Sequence, residues 1–109
     1  MLKEFVHKDL AAGRWFELTL AEQLGNIGSE YSRATLAFKA SNLERYTFAS
    51  DLAMELCELT VSDKRWYNKP ALKELCRMKE QVAESLYDKK QPDPGLQNYF
   101  DGFAILARK

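Results

Sequence analysis

Few side chains in this sequence are equipped for chemistry. There is one histidine, His7, and there are two cysteines, Cys57 and Cys76. A hydrolytic triad needs a base held beside a nucleophile, and the single histidine falls in an N-terminal arm, residues 1–11. Zinc sites need closely spaced Cys and His ligands, and neither C-x-x-C nor H-E-x-x-H occurs. The Glu-x-x-His pairs of ferritin-like di-iron bundles are missing, as are a P-loop and a G-x-G-x-x-G turn. HEPN-type ribonucleases place a histidine shortly after an arginine, whereas every arginine here follows His7. Glu55 and Glu58 share a helical face, but an exposed carboxylate pair specifies no reaction. No catalytic residue, metal or cofactor is therefore assigned. Two clusters remain as partner-facing candidates. One is the polar row Asn26, Glu30 and Arg33. The other is a basic run with one aromatic, Lys64, Arg65, Trp66, Lys69, Lys73 and Arg77, which offers phosphate contacts and a stacking surface.

The polar row lies on the longest helical segment, about residues 14–39. Leu20, Leu24, Ile27, Tyr31, Ala34 and Phe38 recur at spacings of four and three and form a core-facing stripe. Beside it runs a set of small residues, Ala21, Gly25, Gly28, Ser32 and Thr35, and beyond that a polar row of Thr19, Gln23, Asn26, Glu30 and Arg33. Glycine weakens a helix interior by about 1 kcal/mol relative to alanine, so a compensating contact is expected at Gly25 and Gly28. A surface without Cβ atoms lets a second helix approach closely. Ala21, Gly25, Gly28 and Ser32 are accordingly read as a helix-contact face, within the bundle or between subunits. A small-ligand pocket beside these glycines is the competing reading.

Three further helices follow. Ser41 and Glu44 form an S-x-x-E capping box that opens a helix over about 42–60. Its inner side reads Leu43, Tyr46, Ala49, Leu52, Ala53, Leu56, Cys57 and Leu59, and its outer side is an acidic row of Glu44, Asp51, Glu55 and Glu58. Trp66 and Tyr67 sit in the charged connection, where they cap the end of the core. Pro70 suits a first helical turn and opens a helix over about 70–87, with Leu72, Leu75, Cys76, Met78, Val82 and Leu86 inward. Asp93 as N-cap and Pro94 as first residue open the last helix, about 94–108. Both cysteines fall on core-facing positions and read as free, buried thiols.

With 109 residues the chain is one domain, and its 46% hydrophobic and 29% charged residues are those of an ordinary soluble protein. No strand pattern, internal repeat or low-complexity segment is present. The expected fold is all-α, an up-and-down antiparallel four-helix bundle spanning 1–109 behind a short arm. No apolar run is long enough for a membrane span, and the N-terminus lacks the apolar centre of a signal peptide. These features point to the cytoplasm. Formal charge sums to zero, but residues 1–63 hold six Lys/Arg against ten Asp/Glu, and the remainder carries the opposite imbalance.

Trp15-Phe16, Leu20-Ala21-Glu22-Gln23-Leu24, Asn26-Ile27-Gly28-Ser29-Glu30, Ser32-Arg33-Ala34, Tyr99-Phe100, Phe103-Ala104 and Ala107-Arg108 together resemble a group of short uncharacterised prokaryotic helical-bundle proteins. That resemblance covers most of the chain and implies no activity. More distantly, the helix order and Gln23-Leu24 are similar to the ribosomal-RNA intervening-sequence proteins and the accessory proteins of diversity-generating retroelements. Those are four-helix bundles that assemble into rings and contact nucleic acid. Asn26-Ile27-Gly28-Ser29-Glu30 departs from that group's Asn-Ile-Ala-Glu-Gly after its second residue. The leading expectation is a non-enzymatic bundle that works by homo-oligomerisation or by binding another protein. A nucleic-acid accessory role through the basic run is the alternative.

Overall fold

A computed structural model describes residues 13–108; the arm, with His7, lies outside the described residues. Four α-helices follow one another: α1 Leu20–Lys39, α2 Leu43–Val61, α3 Pro70–Ala83 and α4 Pro94–Ala107. They form the antiparallel bundle that the spacing of apolar residues implies, with no strand among the described residues. Helix α1 packs against both α2 and α4, and α3 lies on α2. The core runs through Leu24, Ile27, Tyr31, Ala53, Cys57, Leu75, Val82 and Phe100.

The first helical segment is broken, in contrast to the single helix expected over 14–39. Arg14–Glu17 forms a 3-10 turn, and α1 begins only after Thr19. There the Thr19 hydroxyl accepts from the Glu22 backbone (3.1 Å) and the Glu22 carboxylate accepts from the Thr19 backbone (2.9 Å). This T-x-x-E capping box satisfies two donors that a helix start leaves open. The 3-10 turn lays Trp15 into the core, where its indole donates to Thr60 Oγ1 at 3.0 Å.

The turn between α1 and α2 also differs from expectation. Ser41 does not cap α2. It takes a left-handed conformation, φ 55°, and ends α1: its backbone N–H bonds the Phe38 carbonyl, while that of Asn42 bonds Ala37. This is a Schellman closure with serine where glycine is usual. Asn42 is the N-cap of α2, its side chain accepting from the Arg45 backbone at 3.1 Å. One residue thus completes the first helix and opens the next.

Helix α2 departs from the inner/outer division assigned to it. Leu43, placed inward by periodicity, is exposed, whereas every residue from Leu52 to Cys57 is buried, Glu55 included. A helix covered on most sides in its second half has no solvated stripe for periodicity to find. On α3, Leu75, Met78 and Val82 are buried as spaced, but Cys76 is exposed. Past Ala83 the helix widens into a π turn over Glu84–Asp88, with the Lys89 N–H reaching the Glu84 carbonyl five residues back (2.8 Å). Ser85 and Leu86 stay buried through this turn. Asp93 and Pro94 open α4 as expected, Asp93 Oδ1 accepting from the Gly95 backbone at 2.9 Å.

Candidate protein interface

Asp63 sits buried at one end of the bundle, between α2 and the short turn Lys64–Trp66. The Gln23 amide, fully buried although it belongs to the polar row of α1, donates to Asp63 Oδ2 (3.0 Å) and to the Trp15 carbonyl (3.0 Å). Arg65 grips the same carboxylate through Nε and Nη2 and also donates to the Leu18 carbonyl. The Trp66 indole donates to Gln23 Oε1 at 3.3 Å, and the Arg65 guanidinium lies 4.7 Å from the centre of its ring. Burial would push the Asp63 carboxyl up, but the hydrogen bonds from Arg65 and Gln23 outweigh it and hold it below its ordinary value. The same carboxylate raises the Arg65 pKa.

This network changes the meaning of the basic run. Arg65 and Trp66, expected among the nucleic-acid contacts, are committed to closing the bundle end. Lys64, Lys69, Lys73 and Arg77 remain exposed. Lys73 and Arg77 border a furrow of about 400 Å³ between α3 and α4. There the Tyr99 hydroxyl donates to Glu74 Oε1 (3.1 Å), and burial followed by that carboxylate pushes its pKa up to about 12.

The small face of α1 is filled by α4. An added Cβ at Gly28 would overlap the Phe100 side chain, and one at Gly25 would stand 3.1 Å from the Ala104 Cα. Ala21 and Ser32 are half-buried beside them. Helix approach within the bundle occupies the space beside Gly25 and Gly28, which leaves no room there for a small ligand. At the far end of the same contact, Tyr31 and Ser85 share a hydrogen bond of 2.7 Å, and the Asp93 N–H donates to the Tyr31 hydroxyl at 2.8 Å. These bonds tie α1, the π turn and the start of α4 together.

The polar row of α1 divides. Asn26 is exposed and donates back to the Glu22 carbonyl at 2.8 Å. Glu30 and Arg33 form an ion pair and lie on the wall of a groove between α1 and α2. The groove has a volume of about 700 Å³ and is floored by Ala37, Ala49 and Leu52, with Leu36 and Phe48 on its rim. Those rim residues are 64% and 59% exposed. Leu43 and Phe38 extend the apolar surface around the α1–α2 turn, where the Phe38 ring also meets Tyr46 at 5.9 Å. Sequence spacing passed over Leu36 and Phe48 because neither falls on a core stripe. Large apolar residues off the stripe were the available signal.

The acidic row of α2 is interrupted: Glu44 and Asp51 are exposed, but Glu55 and Glu58 are not. Glu55 is 2% exposed, Glu58 is half-buried, and Asp51 accepts from the Tyr87 hydroxyl at 2.7 Å. No helix among the described residues is long and apolar enough to cross a membrane. No protein-family model, curated protein or solved structure matches the chain.

Proposed function

We propose that the chain is a non-enzymatic cytoplasmic interaction protein that works by self-association. One observation carries this reading. Leu36 and Phe48 stand exposed together on the rim of the α1–α2 groove, and Phe38 and Leu43 are exposed beside the turn that joins the two helices, although the core beneath them is complete without them. Single exposed apolar residues are ordinary, but a contiguous group rimmed by charge marks an association surface. Two free thiols, one of them exposed, suit a reducing compartment. Sedimentation over a range of protein concentrations, at low and at high salt, tests the proposal. The expected result is a species heavier than the 12.6 kDa chain that persists at high salt, because apolar association is not screened by ions. A 12.6 kDa species at every concentration would overturn it.

A second reading rests on the exposed cations Lys64, Lys69, Lys73 and Arg77, which lie along one short stretch of chain beside the α3–α4 furrow. Cations so placed support contact with RNA phosphates. Single-stranded RNA should then shift in a gel at low salt, and changing Lys69, Lys73 and Arg77 to Glu should abolish the shift. Absence of any shift with the unaltered protein would remove this reading.

A further inference from the structure

We propose, resting on the phosphate contacts suggested for the same cations, that the furrow between α3 and α4 binds a short unpaired stretch of single-stranded RNA, with phosphates on Lys69, Lys73 and Arg77 and one base against Tyr99. The furrow exists because the bundle closes on three sides only. Helix α1 packs on α2 and on α4, and α3 packs on α2. Helices α3 and α4 meet through side chains instead, as where the Tyr99 hydroxyl reaches Glu74. Between them runs one continuous trough. Its two halves, of about 400 Å³ and about 580 Å³, share Gln81 and Tyr99. The first half alone follows α3 from Pro70 to Gln81, roughly 17 Å of helix.

Three carboxylates and three cations line the trough, and they are not equally committed. Glu84 is paired with Lys89 at 3.0 Å. Asp93 accepts from the first turn of α4, and Glu74 accepts from Tyr99. Lys73 and Arg77 enter no ion pair among the described residues. With Lys69, beside Pro70 at the mouth, they recur at every fourth residue and so rise along α3 in steps of about 6 Å. Unmatched positive charge is thus confined to the half near the start of α3, opposed there, among the carboxylates that line it, by Glu74 alone. Separated cations on one wall suit a phosphodiester backbone. The aromatic ring in the trough is Tyr99, held edgewise against Phe100 and Phe103 with ring centres 5.4 and 5.2 Å away. It borders both halves, and the exposed amides of Gln81 and Gln91 lie in the half that continues past it. A fixed ring next to backbone contacts is a stacking platform, and amides near it can bond the edge of an unstacked base. A duplex keeps its base faces covered and an acidic peptide has none, so either would use the cations and leave Tyr99 idle. A single strand uses both.

Fluorescence anisotropy of the full chain tests this with a short labelled single-stranded RNA, the same sequence as a duplex, and polyglutamate. The single strand should bind most tightly. The logarithm of its affinity should fall linearly with that of the salt concentration at a slope of about −2, as for three phosphates at roughly −0.7 each. Lys73→Gln and Arg77→Gln should each flatten that slope by about 0.7. Tyr99→Leu, shown to be folded by circular dichroism, should weaken binding at least about fivefold while leaving the slope unchanged, because stacking releases no ions. Glu74→Gln, at an exposed position and still able to accept from Tyr99, should tighten binding. Single-strand binding indifferent to Tyr99→Leu and to Glu74→Gln, or matched by the duplex or by polyglutamate, would overturn the furrow as a strand site while charge-driven binding by the cations stood. No binding of the single strand at low salt would overturn both.

Discussion

Asp63 and Cys57 show how much a residue's character depends on neighbours distant in sequence. The Asp63 carboxyl is held below its ordinary value, so it binds protons less readily folded than unfolded. The stability it contributes is present above the unfolded carboxylate pKa, near about 4, and is lost as pH falls through that range. Urea melts of the unaltered chain and of Asp63→Asn should therefore differ most near neutral pH and converge at acid pH. A constant difference would show that ionisation of Asp63 is not what Arg65 stabilises. Burial pushes the Cys57 thiol up to about 12, and its sulfur lies 3.7 Å from that of Met78. Cys76 is exposed. A thiol reagent should accordingly label Cys76 at once in the native protein and Cys57 only after unfolding, which mass spectrometry of the labelled peptides would establish. Periodicity placed both cysteines inward, and the charge of the connecting segment left Arg65 outward. Periodicity reports only the face of a regular helix, and it can see neither the exact edge of a stripe nor the loop contacts made across the bundle end.

Among the elements, α1 and α4 are defined by a close approach that two glycines permit. Gly28→Ala forces a methyl group into Phe100 and should lower stability by about 1–3 kcal/mol, the usual cost of overpacking. Gly25→Ala meets Ala104 less severely, and the roughly 1 kcal/mol gain in helix propensity offsets part of the strain. Chemical denaturation should rank the two variants in that order. Ser41 offers the opposite opportunity. Its left-handed backbone suits glycine, so Ser41→Gly should raise the midpoint by an amount equivalent to about 0.5–1 kcal/mol. The glycines were legible as a contact face because small residues at helical spacing have a direct steric meaning. The role of Ser41 was not, since S-x-x-E reads equally well as a cap when the neighbouring asparagine is ignored.

For the molecule as a whole, helix number and connectivity followed from four apolar periodicities separated by breakers, and the bundle is their natural solution. The α1–α2 groove was not legible in the same way. It depends on which faces α3 and α4 leave uncovered, a property of the assembled bundle. If the exposed apolar residues beside it join chains, thermal stability becomes linked to concentration. The melting midpoint of the unaltered chain should rise on concentrating the protein, whereas that of Leu36→Glu should stay fixed. The π turn at Glu84–Asp88 bears on a different kind of change. Such a turn amounts to one surplus residue in an otherwise α-helical segment. Deleting a residue there would rewind it to an α-helix and rotate all that follows by about 100° relative to what precedes. Tyr31 and Ser85 would then fall out of phase, and with them the descent into α4. Chain length in this segment is therefore constrained even where residue identity is free, so natural variation should spare residues 84–88 from insertions and deletions before it spares them from substitutions.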